Sequence, residues 1–433
     1  MTIWKQKSRI LVTCPKGVTA YLKAEIEDLR FPILHEIDTA IQTEGTLEDT
    51  MRLNLHLRTA QRVLYQLQTF KVISPGALYE RINALPWETI LHTSGKRVYV
   101  CITSIVDNPL ITDSRFVNLK VKDAIVDRIR DKCGTRPDSG PDKDKAVVHV
   151  YWMHDQATVY IDTSGDRLAL RGYRKIPLQA PMQETLAAAV ILATGWEGRR
   201  AFVNPMCGSG TLAIEAALIA LHRAPGLYRN NYGFMYIQGF PAELWQELRK
   251  AARNQTRKSL PAKIIATDID ETAIQAARQN AQTAGVDHLI EFQTCPYEKT
   301  PLPEGGGIIM INPPYGERLD AGGIKPQYPH QSKNEMVKGH PVIVRRAADR
   351  KNSGGTGNSG YGLEALYSSI GDFFKSSGGG YRGYIFTGNL EMIKKIGLRT
   401  KRRLTFYNGE IECRLLEYEL YAGSRKIPPP SNE

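Results

Sequence analysis

An α/β fold is what this 433-residue sequence predicts: a doubly wound sheet closed by an antiparallel hairpin and preceded by smaller α+β units. Three observations carry that expectation. From Ala201 onward, short apolar runs alternate with helical stretches, the order of parallel strands joined by crossover helices. A glycine-rich segment lies between the first of these runs and its helix. Near the end, two alternating runs flank Asn408-Gly409, the strongest short hairpin signal.

The elements follow in chain order. Residues 9–13 read as a strand and 18–29 as a helix with apolar positions at helical spacing. In 48–70, Leu53, Leu55 and Leu57 alternate, and Ala60, Val63, Leu64 and Leu67 follow, completing a small α+β module. Residues 97–103 are strand-like and 117–130 helical, and 146–152 with 157–163 form a hairpin. The helix keeps Val117, Val121, Ala124, Ile125 and Ile129 on one face. Lys120, Lys122, Arg128 and Arg130 fall on the others, as on a solvated surface.

In the alternating region, 201–205, 263–267, 308–311 and 381–386 are strands. Helices cover 210–222, 271–284 with Asp270 as its cap, 363–374, and a short stretch at 390–396. Two segments interrupt this order. Residues 224–258 hold a loop and a helix beginning at Pro241. Residues 320–360 are poor in apolar side chains and rich in Gly, Ser, Lys and Arg, the composition of a disordered surface insertion.

Lys and Arg total 57 against 45 Asp and Glu, a formal net charge of +12. Such an excess favours a polyanionic partner, because cations that neutralise phosphates release counterions. No long apolar run or signal-like start points to a membrane. The six cysteines are scattered without a Cys-x-x-Cys pair, which argues against a zinc site or a disulfide framework and fits a cytoplasmic setting.

Three motifs carry chemistry. Asn204-Pro205-Met206-Cys207-Gly208-Ser209-Gly210-Thr211 joins a strand to a helix. Glycines there let the backbone turn sharply and approach a ligand at a helix N-terminus. Such a Gly-x-Gly also recurs where glycine serves packing alone, and its position in the sheet is what gives it weight. Asp268-Ile269-Asp270 ends the next strand, where Asp268 can accept ribose hydroxyls while Asp270 caps the helix. The third motif, Asn312-Pro313-Pro314-Tyr315, follows a buried strand. The Asn312 amide oxygen and the Pro313 carbonyl can both accept hydrogen bonds from an amine, and Tyr315 offers a stacking face.

This trio resembles the class I amino-methyltransferases, whose catalytic domain is Rossmann-like. NPMCGSGTLAIEA (204–216), the tryptophan-bearing insertion, and NPPYGERL (312–319) narrow the likeness, as do Asp162-Thr163-Ser164-Gly165, Arg171-Gly172-Tyr173-Arg174 and APMQETLAAA (180–189). Together they resemble bacterial RNA guanine-N2 methyltransferases with a THUMP domain, nearest those that modify 23S ribosomal RNA. The resemblance implies a ferredoxin-like module in 1–72, a THUMP RNA-binding domain in 73–165 and a catalytic domain in 170–423. It further implies S-adenosylmethionine as cofactor, held by residues 204–211 with Asp268 and Ile269, and catalysis by Asn312, Pro313, Pro314 and Tyr315. RNA is the implied partner, ribosomal RNA first and tRNA second, with no metal and no membrane. The chain departs from that pattern where it has Asn204 in place of an aspartate, and Cys295-Pro296-Tyr297 where an aspartate approaches adenine. It ends before the second methyltransferase domain of some relatives, so a single activity is expected. A non-catalytic RNA-binding assembly factor is the alternative of another class.

Overall fold

The computed structural model describes residues 3–95, 98–108, 111, 113–178, 182–315 and 359–421. Strand β1 (Ser8–Thr13) buries Ile10 and Val12, and α1 (Thr19–Asp28) covers the sheet with Leu22 and Ile26. After β2 (His35–Ile37) and β3 (Ala40–Gly45) comes α2 (Leu47–His56). The hydroxyl of Thr46 caps α2 by accepting from Asp49 N, while the Asp49 carboxylate accepts from Thr46 N. Strand-like alternation of Leu53, Leu55 and Leu57 is thus misleading. The first two lie in the helix and the third caps it. The buried face of this helix includes the polar side chains Thr50 and Asn54, which interrupt the apolar stripe that identifies a surface helix.

Strand β4 (Arg62–Lys71) pairs with β1 and, across the middle of the molecule, with a strand from the next segment. That segment contains α3 (Pro75–Asn83), α4 (Trp87–Ile90), β5 (Tyr99–Asp107), α5 (Ser114–Cys133), β6 (Asp138–Ser139), β7 (Ala146–Met153) and β8 (Gln156–Asp162). The result is one eight-stranded sheet in the order β2-β3-β1-β4-β8-β7-β5-β6. Helix α5 buries the apolar face read from the sequence. Its cations are largely neutralised on the surface: Arg128 pairs with Glu88 at 2.7 Å, Arg130 with Asp127 at 3.0 Å, and Lys122 with Asp123 at 2.8 Å.

The second sheet is seven-stranded. Its elements are α6 (Glu184–Ala193), β9 (Ala201–Pro205), α7 (Thr211–Ala220), α8 (Ala242–Asn254), β10 (Ile264–Asp268), α9 (Glu271–Thr283), β11 (Ile290–Thr294), β12 (Gly307–Ile311), α10 (Ser359–Ser377), β13 (Tyr381–Thr387), β14 (Arg402–Asn408) and β15 (Ile411–Glu419). The order is β11-β10-β9-β12-β13-β15-β14, with β9 to β13 parallel and β15 antiparallel to its neighbours. Alternate side chains of the central strands feed two cores. Phe202, Ala266 and Met310 pack with α6, α7 and α9, while Val203, Ile265 and Ile309 pack with α10. This is the doubly wound arrangement, and both faces need apolar cover.

Local details differ from expectation by small shifts. Asn408 and Ile411 are paired, so Gly409 and Glu410, not Asn408 and Gly409, form the two-residue turn. Pro241 is the N-cap of α8 rather than its first residue. The stretch after β13 is a 3-10 turn, Met392–Ile396. Of the 320–360 segment, 359 and 360 open α10 and the remainder lies outside the described residues. Among the described residues, no helix is long and apolar enough to cross a membrane.

A buried polar knot after β8 ties the two sheets together. The Asp162 carboxylate, fully buried, pairs with Arg62 and accepts from Ser164 N at 3.0 Å and Gly165 N at 3.2 Å. Asn54 of α2 donates to Thr163 Oγ1 at 2.9 Å and accepts from Ser164 Oγ at 2.6 Å. The 224–258 insertion docks on this knot: Phe234 N donates to Thr163 O at 3.1 Å, and a Cβ on Gly233 would sit 2.2 Å from Asp162 O. Burial pushes the Asp162 carboxyl upward, while Arg62 and the two backbone donors pull it back. Replacing Arg62 with Met is therefore expected to cost about 3–5 kcal/mol, the price of a buried charge left unpaired. Urea unfolding checks this; an unchanged midpoint would remove the ion pair from the account of stability.

Candidate active site

Five parallel strands, β9 to β13, point their C-terminal ends to one edge of the second sheet. The chain runs outward from β9 to β10 on one side and returns to β12 on the other, so a crevice opens between β9 and β12. All three sequence motifs end on this edge.

The glycine-rich turn leaves β9 through left-handed backbone at Met206 (φ 55°), Gly208 (φ 54°) and Gly210 (φ 82°). The two glycines serve different purposes. A Cβ on Gly210 would stand 2.9 Å from the Ala277 methyl of α9, so this glycine lets helices α7 and α9 pack. A Cβ on Gly208 would meet nothing within 4 Å, and that backbone faces open space. Gly210 provides no side-chain cap for α7. Cys207 is buried, and burial pushes its thiol up, so it remains a protonated packing group.

Asp268 closes the turn from β10. Its carboxylate accepts from Gly208 N at 2.9 Å and from Asp270 N at 3.1 Å. Asp270 caps α9 by accepting from Thr272 N at 2.8 Å, the division of labour read from the sequence. Ile269 stands between them, 74% exposed, an apolar side chain offered to the edge. Cys295 N donates to Asp268 O at 2.9 Å, so the end of β11 backs the same loop, with Pro296 exposed beside it.

Asn204 lies inside the sheet, completely buried. Its amide nitrogen donates to Met310 O at 2.9 Å and Pro205 O at 3.3 Å, bridging β9 to β12 at the base of the crevice. A carboxylate could not donate to those carbonyls, which explains the amide here. Its Oδ1 is buried without a hydrogen-bond partner. Pro205 is buried as well, so residues 204 and 205 support the turn and Gly208 presents its surface.

After β12, Asn312 is half-buried, Pro313 buried and Pro314 exposed. Tyr315 is only 5% exposed, which corrects its expected role as an open stacking face. The two prolines stiffen the turn, and Tyr315 folds back to donate its hydroxyl to Asn312 Oδ1 at 2.6 Å. The remainder of the eight-residue string, 316–319, lies outside the described residues.

Sequence reading missed the groups that hold this turn. Asn389 Nδ2 donates to Tyr315 O at 2.9 Å, and Tyr367 OH donates to Pro314 O at 3.3 Å while bonded to Thr387 Oγ1 at 2.6 Å. A Cβ on Gly388 would be 3.0 Å from the Tyr315 ring. It also missed a clamp on the glycine-rich turn. Asn280 Nδ2 donates to Ser209 O at 3.2 Å and its oxygen accepts from Lys175 N at 2.9 Å. Arg174 donates to Thr211 Oγ1 at 3.0 Å. The only local hint was Thr387-Gly388-Asn389 ending a strand, and a strand end carries no signal of which strand lies beside it. A cavity of about 600 Å³ lies at the opposite edge beside Trp196, Gly307 and Gly380. The chemistry-bearing side chains, not cavity size, locate the site.

The electrostatics of this edge are those of a neutral-to-acidic cradle. Asp268 is its carboxylate, and no group of His, Cys, Asp and Glu that could hold a metal ion occurs among the described residues. The arrangement can present backbone N–H groups and a carboxylate to a nucleoside-like ligand on one side of the crevice. On the other it presents amide and carbonyl acceptors to an amine.

Comparison with known proteins gives the same domain content. Residues 9–64 match the RlmL ferredoxin-like domain, 75–162 the THUMP domain, and 171–339 the RMKL-like methyltransferase domain. The ribosomal RNA large subunit methyltransferase K/L of Syntrophotalea carbinolica is 36% identical over 423 residues, 95% of this chain and 53% of that protein. Its counterpart in Psychromonas ingrahamii is 34% identical over 411 residues, 94% and 49% respectively. The chain thus spans about half the length of these curated relatives. Among solved structures, one described as a predicted N6-adenine-specific DNA methylase from Listeria monocytogenes has a TM-score of 0.77 at 27% identity, covering 96% of each chain. A possible methylase from Clostridium difficile has a TM-score of 0.76 at 28% identity, covering 99% of this chain and 100% of its own.

The two glycines give separable expectations. Gly210→Ala should lower stability by roughly 1–2 kcal/mol for its left-handed backbone, and more for the Ala277 contact. Gly208→Ala should cost about the backbone strain alone, yet weaken binding of S-adenosylhomocysteine at least tenfold. Thermal melts and calorimetry on both variants check this, and unaltered affinity in Gly208→Ala would remove that backbone from the ligand surface.

Proposed function

From the matches to the RlmL ferredoxin-like, THUMP and RMKL-like methyltransferase domains, we propose that this chain transfers a methyl group from S-adenosylmethionine to the exocyclic N2 amine of a guanine in 23S ribosomal RNA. It does so in the cytoplasm, with residues 170–423 as the catalytic part and 1–72 with 73–165 engaging RNA. The observation that carries the reading is the 312–315 turn, set at the C-terminal end of β12 across the crevice from Gly208 and Asp268.

The residues present suit the cofactor. Gly208 exposes backbone to open space, Asp268 keeps lone pairs beyond its two backbone bonds for ribose hydroxyls, and Ile269 supplies an apolar surface for a purine. When bound, S-adenosylmethionine supplies an electrophilic methyl group. Asn312 and Pro313 do the remaining work through position. An amide oxygen has two lone pairs, and Tyr315 engages one. The second, with the Pro313 carbonyl, can accept both hydrogens of a guanine amine and hold its nitrogen lone pair toward the donor. As the nitrogen gains positive charge, those two acceptors stabilise it, and its proton then leaves without a strong base. Tyr315 acts in this account by fixing the amide orientation. A guanine within a helix must leave its stack to reach the turn.

Asn312→Ala should lower methyl transfer by roughly 10²-fold or more, the usual loss for a positioned polar group at the reacting centre. Affinity for S-adenosylhomocysteine should remain within about twofold. Tyr315→Phe, which keeps the ring and removes the hydroxyl, should give an intermediate loss. Transfer of radiolabelled methyl groups to unmodified 23S ribosomal RNA, to tRNA and to duplex DNA, offered separately, reads out both rate and substrate. Wild-type rates in Asn312→Ala would sink the mechanism. Preference for tRNA or DNA would replace the substrate, and failure to bind cofactor would favour a non-catalytic assembly factor.

A further inference from the structure

Beside the 312–315 turn lies a second cleft, of about 440 Å³, between the segment that follows β13 and the β14–β15 hairpin. That volume falls within the roughly 300–1,000 Å³ of small-molecule sites. Leu390, Ile393 and Leu398 give it an apolar wall, and Lys394, Arg403 and Arg414 give it charge. Among the described residues, no carboxylate lines it. The cations in this region divide by position. Lys395 pairs with Glu364 at 2.9 Å, Lys401 with Glu419, and Arg402 with Glu417 at 2.9 Å, and all three lie outside the cleft. Within it, Arg414 pairs with Glu412 at 2.5 Å. Lys394 and Arg403 have no ion pair among the described residues, and Arg403 donates Nε to Thr400 Oγ1 at 2.9 Å. Lys394 and Arg403, both exposed, thus line the cleft without a carboxylate partner among the described residues, beside the paired Arg414, while Arg399, likewise without an ion pair, lies outside it.

The cleft adjoins the segment that braces the 312–315 turn. Asn389 holds the Tyr315 carbonyl, and Leu390, the next residue, lines the cleft. Adjacent Cα atoms are about 3.8 Å apart. A ligand here would lie against the same segment that braces the turn carrying Asn312. An apolar wall matched with two cations lacking carboxylate partners suits a nucleotide, whose base packs on the wall and whose phosphate meets the charge.

We propose that this cleft receives the nucleotide adjoining the methylated guanine in the same RNA strand, with Lys394 and Arg403 on its phosphate and Leu390, Ile393 and Leu398 against its base. The inference rests on the RNA reading above and adds a subsite to it. By this means the enzyme would draw the strand across the edge of the sheet and keep an extruded guanine from retreating.

The test uses the full chain and an unmodified 23S ribosomal RNA transcript. The double variant Lys394→Glu with Arg403→Glu should raise KM for RNA about tenfold or more. The slope of log affinity against log salt should fall by about 0.7 for each single-strand phosphate contact removed. Lys394→Arg should retain wild-type KM. Melting temperature and S-adenosylhomocysteine affinity serve as controls for folding and for the cofactor side. Wild-type KM and salt slope in the double variant would overturn the subsite while leaving the proposed reaction intact. Absence of RNA methylation by the wild-type protein would overturn both, and only that outcome appears without any substitution.

Discussion

Burying the Asp162 carboxylate imposes the constraint from which the rest of the architecture follows. A charge removed from water must be met on every side, and here Arg62, Ser164 N and Gly165 N meet it. Those partners come from β4 and from the chain just beyond β8, so the pairing of these strands and the direction of the exit are set together. Asn54 then links α2 to the same knot. Arg229 of the insertion satisfies carbonyls at Ser164, Asp166 and Arg167. A segment that interrupts the second sheet in sequence thereby becomes the part that fastens it to the first.

From this joint a continuous set of contacts reaches the glycine-rich turn. Arg171, buried, donates to Arg58 O in the N-terminal module and lies 3.6 Å from Glu215 of α7. Tyr173 donates to the same carboxylate at 3.0 Å, and Arg174 reaches Thr211. Asn280 closes the series by holding residues 175 and 176 against Ser209 O. The turn proposed to face the cofactor is therefore held from behind by the strap that enters the domain. Such support keeps exposed left-handed backbone in one conformation despite its local cost.

On the other side of the crevice, buried polar groups again do the positioning. The Asn204 amide spans β9 and β12 beneath the site, and Tyr367, Thr387 and Asn389 brace the 312–315 turn from β13 and α10. Catalysis by placement needs acceptors that stay where they are while charge develops, and rigid neighbours provide that without reorganisation. The burial of Tyr315 belongs to the same design. An exposed ring would present a stacking surface, whereas the buried one gives a hydroxyl to the Asn312 amide.

Much of this protein was legible from local sequence. Strand and helix alternation after Ala201, the Asp270 cap, the apolar face of α5 and the order of the three motifs all depend on neighbours within a few residues. Side-chain periodicity and backbone preference report such features directly. What remained hidden was decided by contacts between distant segments. Leu53 and Leu55 looked like a strand because Thr50 and Asn54, polar yet buried through contacts with distant segments, break the apolar helical stripe. Gly208 and Gly210 looked alike, and only the approach of Ala277 separated a packing glycine from one open to a ligand. Asn204 looked like a contact residue until pairing of β9 with β12 placed Met310 O beside its amide. Local sequence thus determined which chemistry the chain carries and in what order. Tertiary structure decided which of those groups face the crevice, because burial and partner choice are properties of two surfaces meeting.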